Sequence, residues 1–238
     1  MGISRTLRRS VIGHTVGLLV VMVTPASAAP AEASRSGAVP YPTTAGQCVT
    51  YRLLPDSSSV VIQTGSSGLF GFLGHEHRLI VPHFSGEVTL DTTDLRQVAL
   101  DIIVAADGLR LDDDADDADS RETIERTLRD DVLETRSFPE IVVQGGGFAA
   151  DDPGEEMNAS GVCTGRLEFE LDLHGVRRTV TAPVTVAFQG DRLRARGRFS
   201  IRHSEYDLHR VKVAGVVNVA QEIDIDFDLI GVARAPTP

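Results

Sequence analysis

Two histidines at positions 75 and 77 form the best candidate metal-ligating pair in the chain, within the segment GHEHR. Alternate residues of a β-strand point to the same face, so both imidazoles would project together while Glu76 faces away. That spacing suits two nitrogen ligands on one metal ion. A further ligand could come from one of three residues elsewhere in the chain: His83, His203 or Glu205. The alternative is that His75 and His77 hydrogen-bond the backbone or a ligand head group.

A glycine-rich apolar segment, GSSGLFGFLG at Gly65–Gly74, precedes this pair. Four large apolar side chains alternate there with glycines: Leu69, Phe70, Phe72 and Leu73. Apolar side chains outside a regular strand favour a loop that binds a ligand or opens to admit one. We therefore predict an apolar lid or portal at these four residues.

The chain contains two cysteines, Cys48 and Cys163. In an exported protein they could pair as a disulfide that ties the first strand to a central one. The alternative, two buried or free thiols, stays open because a sequence does not show whether the residues are close.

The motifs of common enzyme classes are absent from the sequence. It has no G-x-S-x-G nucleophile elbow, no H-E-x-x-H zinc motif and no phosphate-binding glycine loop. We therefore predict a binding protein that is not an enzyme, with no certain cofactor.

Alternation of apolar and polar residues dominates the second half of the chain. In Gly165–Gly175, GRLEFELDLHG, leucines and a phenylalanine alternate with acidic residues, and Thr179–Gln189, Arg192–Arg202 and Glu222–Gly231 behave similarly. Strands with one apolar and one polar face are typical of antiparallel sheets and barrels. His174, at the end of one such strand, is predicted to be exposed. We also expect strands at Ile141–Gln144, before the glycines at positions 145–147, and at Lys212–Val219.

One helix is predicted in this otherwise all-β chain. Asp119 can cap it, with Glu122 three residues later, and Ile124, Leu128 and Val132 form an apolar stripe. Such a helix would lie against a sheet or across one end of a barrel.

The N-terminal residues divide into two segments. Arginines precede the apolar run Val11–Val23, and Ala26-Ser27-Ala28 offers a cleavage site, so residues 1–28 are predicted to be a signal peptide. Residues 29–46 are rich in Pro, Ala and Ser and predict a flexible linker. The folded domain is then 47–238, without a membrane span, and the protein would be exported to the periplasm or the medium after cleavage near Ala28.

The predicted mature chain is strongly acidic. Three of the 23 Lys and Arg residues lie in the signal peptide, which leaves 20 basic residues against 34 acidic ones and a formal charge of −14. This charge excludes nucleic acid as a partner, because phosphate binding needs a basic surface. Leftover strand edges could support a homodimer.

The order of segments resembles the YceI-like family of lipocalin-like, polyisoprenoid-binding proteins. The similarity covers roughly Tyr51 to Ala233, and F-P-x-I after an aspartate and L-x-L-H-G-V-x-x-x-V are its strongest elements. The matching segments are YRLLPDSSSVVIQ at Tyr51–Gln63, HFSGEVTLD at His83–Asp91, LRDDVLETRSFPEIVVQ at Leu128–Gln144, GRLEFELDLHGVRRTVTAPVTV at Gly165–Val186 and IRHSEYDL at Ile201–Leu208. The chain departs from the family in lacking tryptophan.

This resemblance implies an antiparallel eight-stranded lipocalin-like β-barrel with one helix. It also implies a cavity for a long amphiphile such as a polyisoprenoid-like lipid, carried or sequestered by an exported protein. Besides the loop residues, the expected ligand contacts are Phe84, Phe138, Phe169 and Leu171. The alternative function is that of a metal- or haem-associated extracytoplasmic protein using His75 and His77.

Overall fold

A computed structural model describes residues 48–64, 77–91, 94–112, 118–152, 161–208 and 222–234. The described residues form eleven strands and one α-helix, α1, at Ala118–Thr127. The strands are β1 (Cys48–Leu53), β2 (Ser59–Thr64), β3 (His77–Ile80), β4 (Phe84–Asp91), β5 (Asp94–Ala105), β6 (Arg110–Leu111), β7 (Glu140–Ala150), β8 (Val162–Leu173), β9 (Val176–Gln189), β10 (Arg192–Arg202) and β11 (Glu222–Ala233). The predicted signal peptide, the linker and the strand at Lys212–Val219 lie outside these residues.

The strands form one antiparallel sheet that closes into a barrel. Three barrel strands are each interrupted once, because β2 continues the path of β1, β4 that of β3, and β6 that of β5. With β7 to β11 these make eight strands around the barrel. The barrel closes where β11 pairs with β1, Tyr51 opposite Ala233, and with β2, Ile62 opposite Ile225. The predicted eight-stranded antiparallel barrel with one helix is confirmed.

A serine side chain hydrogen-bonds to β11 at the point where β1 has ended and β2 has not yet begun. The chain makes a 3₁₀ turn at Pro55–Ser57, which takes it out of register with β11. The Ser58 hydroxyl donates to the Leu54 carbonyl at 2.7 Å and accepts from the Ile230 amide at 2.9 Å. The Leu54 amide donates to the Ile230 carbonyl at 2.8 Å. The interruption therefore leaves the backbone groups of Ile230 satisfied.

The helix packs its apolar stripe against one end of the barrel. Ile124, Leu128 and Val132 are at most 3% exposed, and the last two belong to a π-helical turn, Leu128–Val132, that continues α1. Arg121 donates to the Leu111 carbonyl at 2.5 Å, and Glu125 accepts from the Leu111 amide at 3.1 Å. These two side chains cover the open backbone edge of β6.

Two local predictions need correction. Helix α1 begins at Ala118, so Asp119 lies within its first turn and is not the N-cap. Strand β7 does not stop before the glycines. It continues to Ala150 through a bulge, where Gly145 and Gly146 have φ of 75° and 146°. Glycine adopts these angles without strain, so the residues that predicted a break instead bend a continuous strand. None of the helices in the described part of the chain is long and apolar enough to cross a bilayer.

Arginines on the outer face of β10 pair with aspartates on β11. Arg194 makes two hydrogen bonds to Asp228, at 2.7 and 2.5 Å, and Arg196 approaches the same carboxylate at 3.1 Å. Arg198 binds Asp226 in the same two-pronged manner. The hydrogen bond from Arg194 is the main reason why the pKa of Asp228 lies below its ordinary value. The same bond raises the pKa of Arg194.

We predict that these arginine–aspartate pairs make the free energy of unfolding depend on pH in the acid range. A carboxylate whose pKa is lowered on folding stabilises the fold above its unfolded pKa, and the effect disappears as pH falls through the folded pKa. Asp228→Asn should therefore reduce the free energy of unfolding by about 1 kcal/mol at pH 7, since the pair is partly exposed. The loss should shrink below about pH 4. Urea unfolding at several pH values measures this loss, and a double-mutant cycle with Arg194→Gln isolates the contribution of the Arg194–Asp228 pair. Equal losses at neutral and strongly acidic pH would contradict the prediction.

Candidate ligand cavity

The barrel encloses a cavity of about 240 Å³. Strands β1 to β5, β7 to β11 and the helical segment all contribute lining residues, and Thr64 is the one polar residue among those described. An engineered apolar cavity of roughly 150 Å³ stays dry and binds benzene. The barrel interior is larger and has the same apolar character, so it suits a hydrocarbon and disfavours a charged group.

Several inward-facing side chains of β9, β10 and β11 keep accessible surface. Ala195 and Phe199 of β10, Phe227 and Leu229 of β11 and Val186 of β9 all line the cavity, yet they are only partly buried. In a filled core such side chains would be covered by others from the opposite wall. Together with the cavity that these residues line, this accessible surface indicates that the barrel interior beside the three strands is not filled.

The end of the barrel away from the helix is filled by tightly packed side chains. Tyr51 and Leu193 are each 2% exposed, and the Tyr51 ring packs against Phe188 with centroids 6.1 Å apart. Burial raises the pKa of Tyr51, and the nearby charge of Asp191 adds to the effect. We call Tyr51, Phe188 and Leu193 the floor; Leu193 lines the cavity, whereas Tyr51 and Phe188 are buried and are not among its described lining residues. Among the described residues, the tyrosine hydroxyl is the one polar side-chain group buried there.

The helix end differs from the floor because it contains buried polar side chains. Thr64 ends β2, His77 begins β3, His174 lies in the turn from β8 to β9, and His203 follows β10; all are at most 6% exposed. The Thr64 hydroxyl donates to the His77 carbonyl at 3.3 Å. Tyr206 lies in the same turn as His203, and burial, helped by the charge of Glu205, raises its pKa to about 12. Of these buried polar side chains, Thr64 alone is among the described residues that line the cavity.

His174 joins the helical segment to the barrel at this end. Its Nε2 lies 2.9 Å from Oε2 of Glu134, and its ring centroid is 4.1 Å from that of Phe138. Both Glu134 and His174 have positive φ, 44° and 55°, so the tight turns on each side bring them together. The prediction that His174 is exposed was wrong, because the segment after the helix folds over the strand end and covers it.

The predicted ligand contacts fall in three places. Phe84, Phe169 and Leu171 line the cavity. Phe138 is not a lining residue, because its ring packs on His174 and beside Gly175, where an added Cβ would lie 2.7 Å from the ring. The four loop residues, Leu69, Phe70, Phe72 and Leu73, lie outside the described residues. Thr64 and Ala195 also line the cavity. Neither was predicted as a ligand contact, although alternation along β2 and β10 places both on the inner face.

The structure does not assemble a metal centre from the predicted residues it describes. His75 lies outside them, and His77 is buried at the start of β3. Within the described ranges no three His, Cys, Asp or Glu side chains are grouped so that they could hold a metal ion. The two cysteines, both described, are not joined by a disulfide: Cys48 is exposed in β1, and Cys163 is buried in β8.

A closed eight-stranded antiparallel barrel with an apolar interior and a helix across one end is a lipocalin-like barrel. The profile of the YceI-like domain matches residues 51–230. The chain belongs to the YceI-like family, as the sequence analysis predicted.

Solved structures share this fold at low sequence identity. The chain is similar to BcnA of Burkholderia cenocepacia, with 18% identity and a TM-score of 0.58 over 75% of this chain and 98% of that one. It is also similar to a polyisoprenoid binding domain from Saccharophagus degradans implicated in plant cell wall breakdown, with 14% identity and a TM-score of 0.56 over 77% and 98% of the two chains. The YCEI protein of Campylobacter jejuni gives 10% identity and a TM-score of 0.50, over 66% and 84%. No curated protein matches the chain.

Proposed function

We propose that this protein is an exported binding protein that carries or sequesters a long-chain amphiphile, a polyisoprenoid-like lipid, in the barrel cavity. The observation that carries the proposal is the hollow centre of the barrel, where apolar side chains such as Phe227 and Leu229 keep accessible surface. A hydrocarbon would cover that surface and gain about 0.8 kcal/mol for each methylene removed from water, before ordering costs.

The chemistry of the lining supports a neutral chain as the buried part of the ligand. Charged side chains are absent from the described lining residues, so a phosphate or carboxylate placed among them would lose its hydration without compensation. An amphiphile avoids this cost when its tail is inside and its polar group is at an end of the barrel. The S. degradans domain, which shares the fold, is a polyisoprenoid-binding domain, and this supports the choice of an isoprenoid-like tail.

Fluorescence titration with N-phenyl-1-naphthylamine tests the proposal. This apolar probe becomes fluorescent in a dry site, and the chain has no tryptophan to interfere. We expect saturable binding of one probe per chain. Farnesol should displace the probe, whereas a water-soluble alcohol with one hydroxyl group and no long hydrocarbon chain should not. Failure of the protein to bind either the probe or farnesol would contradict the proposed function.

The glycine-rich loop is proposed as the entrance. Phe72→Asp places a charge among the apolar residues of Gly65–Gly74, and we expect it to slow probe uptake about tenfold, because the entering chain must pass a hydrated carboxylate. Stopped-flow fluorescence measures the rate, with Ser66→Asp as the control for charge in the same segment. Equal uptake rates in Phe72→Asp and the wild type would rule out this entrance.

In this proposal the protein is exported, is cleaved near Ala28 and has no catalytic role. A homodimer stays a prediction. Two strand edges that could have paired with a second copy are occupied, because β11 pairs with β1 and helix side chains contact β6. Metal or haem binding at His75 and His77 also stays a prediction, with no described contact that favours it.

A further inference from the structure

The two ends of the cavity suggest how a ligand is oriented. Four buried polar residues, Thr64, His77, His174 and His203, lie at the helix end of the barrel, and Thr64 lines the cavity there. The floor of Tyr51, Phe188 and Leu193 is apolar except for the tyrosine hydroxyl, and Leu193 lines the cavity. A polar head group would lose hydration at the floor, where the Tyr51 hydroxyl is the one buried polar side-chain group among the described residues. A hydrocarbon terminus loses nothing there and gains apolar contact. The lower-energy orientation therefore points the hydrocarbon end of the ligand toward the floor.

Ala195 lies directly above that floor. It follows Leu193 on the inner face of β10, and its neighbours across the sheet are Val186 on β9 and Leu229 on β11. All four residues line the cavity, but Leu193 is 2% exposed whereas Ala195 is only partly buried. The space beside the Ala195 methyl group is therefore part of the hollow, at its deep end.

The next inward-facing position on β10 has no comparable free space beside it. Gly197 follows Ala195 on the inner face, and a Cβ added there would lie 2.5 Å from the Phe227 ring and 2.5 Å from the Pro183 carbonyl. That space is already filled by protein atoms. On β10, the depth of the hollow next to the floor is thus set by the small side chain at position 195.

We propose that the ligand enters the cavity with its hydrocarbon end leading, and that Ala195 determines how long a chain fits between the floor and the helix end. This inference rests on the proposed function and assigns a specificity-determining residue to it. A larger side chain at position 195 would raise the effective floor. The longest ligands would then lose contacts, while ligands too short to reach the floor would be unaffected.

Competition binding with prenols of increasing length tests the inference. In this assay geraniol, farnesol and geranylgeraniol each compete with N-phenyl-1-naphthylamine for the wild type and for the Ala195→Phe variant. The added ring excludes about three methylenes of a long chain. Each methylene lost from apolar burial weakens binding about fourfold, so the Ala195→Phe variant should bind geranylgeraniol roughly 50-fold more weakly than the wild type does. Geraniol should change less than about twofold.

A control on the opposite face of the sheet separates this effect from general damage. Ala187 on β9 pairs with the outward-facing Arg194, so Ala187→Phe makes the same change outside the barrel and should leave all three affinities unchanged. If Ala195→Phe lowers the melting temperature markedly, Ala195→Leu is used, and a smaller loss of about fourfold or more should again be confined to the longest prenol.

The outcomes distinguish the two proposals. A wild type that binds no prenol overturns the proposed function and this inference with it. A wild type that binds prenols, with an Ala195→Phe variant that weakens all three equally or none of them, overturns the assignment of Ala195 alone. A loss confined to the longest chain supports both the orientation and the depth limit.

Discussion

Replacing Leu229 by glutamate is expected to weaken binding of an apolar ligand at least 100-fold. Leu229 lines the cavity and is partly accessible from inside it, so the new carboxylate would be hydrated in the empty barrel. A bound hydrocarbon would displace that water, and a carboxylate left without hydration or a partner costs several kcal/mol. About 2.7 kcal/mol of this cost corresponds to the predicted loss. Titration with N-phenyl-1-naphthylamine measures it.

The adjacent residue provides a matched control. Ile230 follows Leu229 on the outer face of β11, where it is opposite Arg194. Ile230→Glu introduces the same charge one position away without changing the cavity, and it should bind the probe like the wild type. If Leu229→Glu binds the probe as tightly as Ile230→Glu does, the ligand does not occupy the cavity.

Removing an aromatic ring from the floor should destabilise the protein much more than removing one from the middle of the barrel. Phe188 is 5% exposed and packs against Tyr51, so Phe188→Ala should cost about 3–5 kcal/mol. Phe227 is partly accessible from the cavity, so Phe227→Ala should cost about 1–2 kcal/mol. In a domain of this size the first change corresponds to a fall in melting temperature of roughly 10 °C.

Thermal and urea unfolding of both variants, each freed of ligand by solvent extraction, measure the difference. The comparison is informative because both substitutions remove the same ring from the same barrel. Similar losses for Phe188→Ala and Phe227→Ala would mean that the centre of the barrel is as well filled as the floor. That result would contradict the hollow interior.

The fold could be predicted because alternation along the strands is strong and local. Leu193, Phe199 and Ile201 alternate with arginines along β10, and this pattern alone separates the inner face from the outer one. The interruptions could not be predicted in the same way. Pro55 indicates a turn, but only pairing with Ile230 shows that β1 and β2 belong to one barrel strand, and that pairing joins residues far apart in the chain.

The cavity was harder to predict than the barrel, for a physical reason. Phe169 and Leu171 are the residue types that fill a core and also those that line a hollow, so their presence does not distinguish the two. The difference depends on what lies across the barrel, as the accessible surface of Ala195 shows. His174 and Phe138 were misplaced for a related reason, since the turn that packs them together depends on the positive φ of Glu134.

Native mass spectrometry of the protein tests the central claim most directly. The full-length chain is expressed in a bacterial host that exports it and is purified without detergent or chelator. Our account predicts a discrete mass above that of the polypeptide, which organic solvent removes and which fragments as a long-chain lipid. A bare polypeptide that also fails to take up added farnesol would contradict the account, and an added mass lost on acidification but not in solvent would point to metal at His75 and His77.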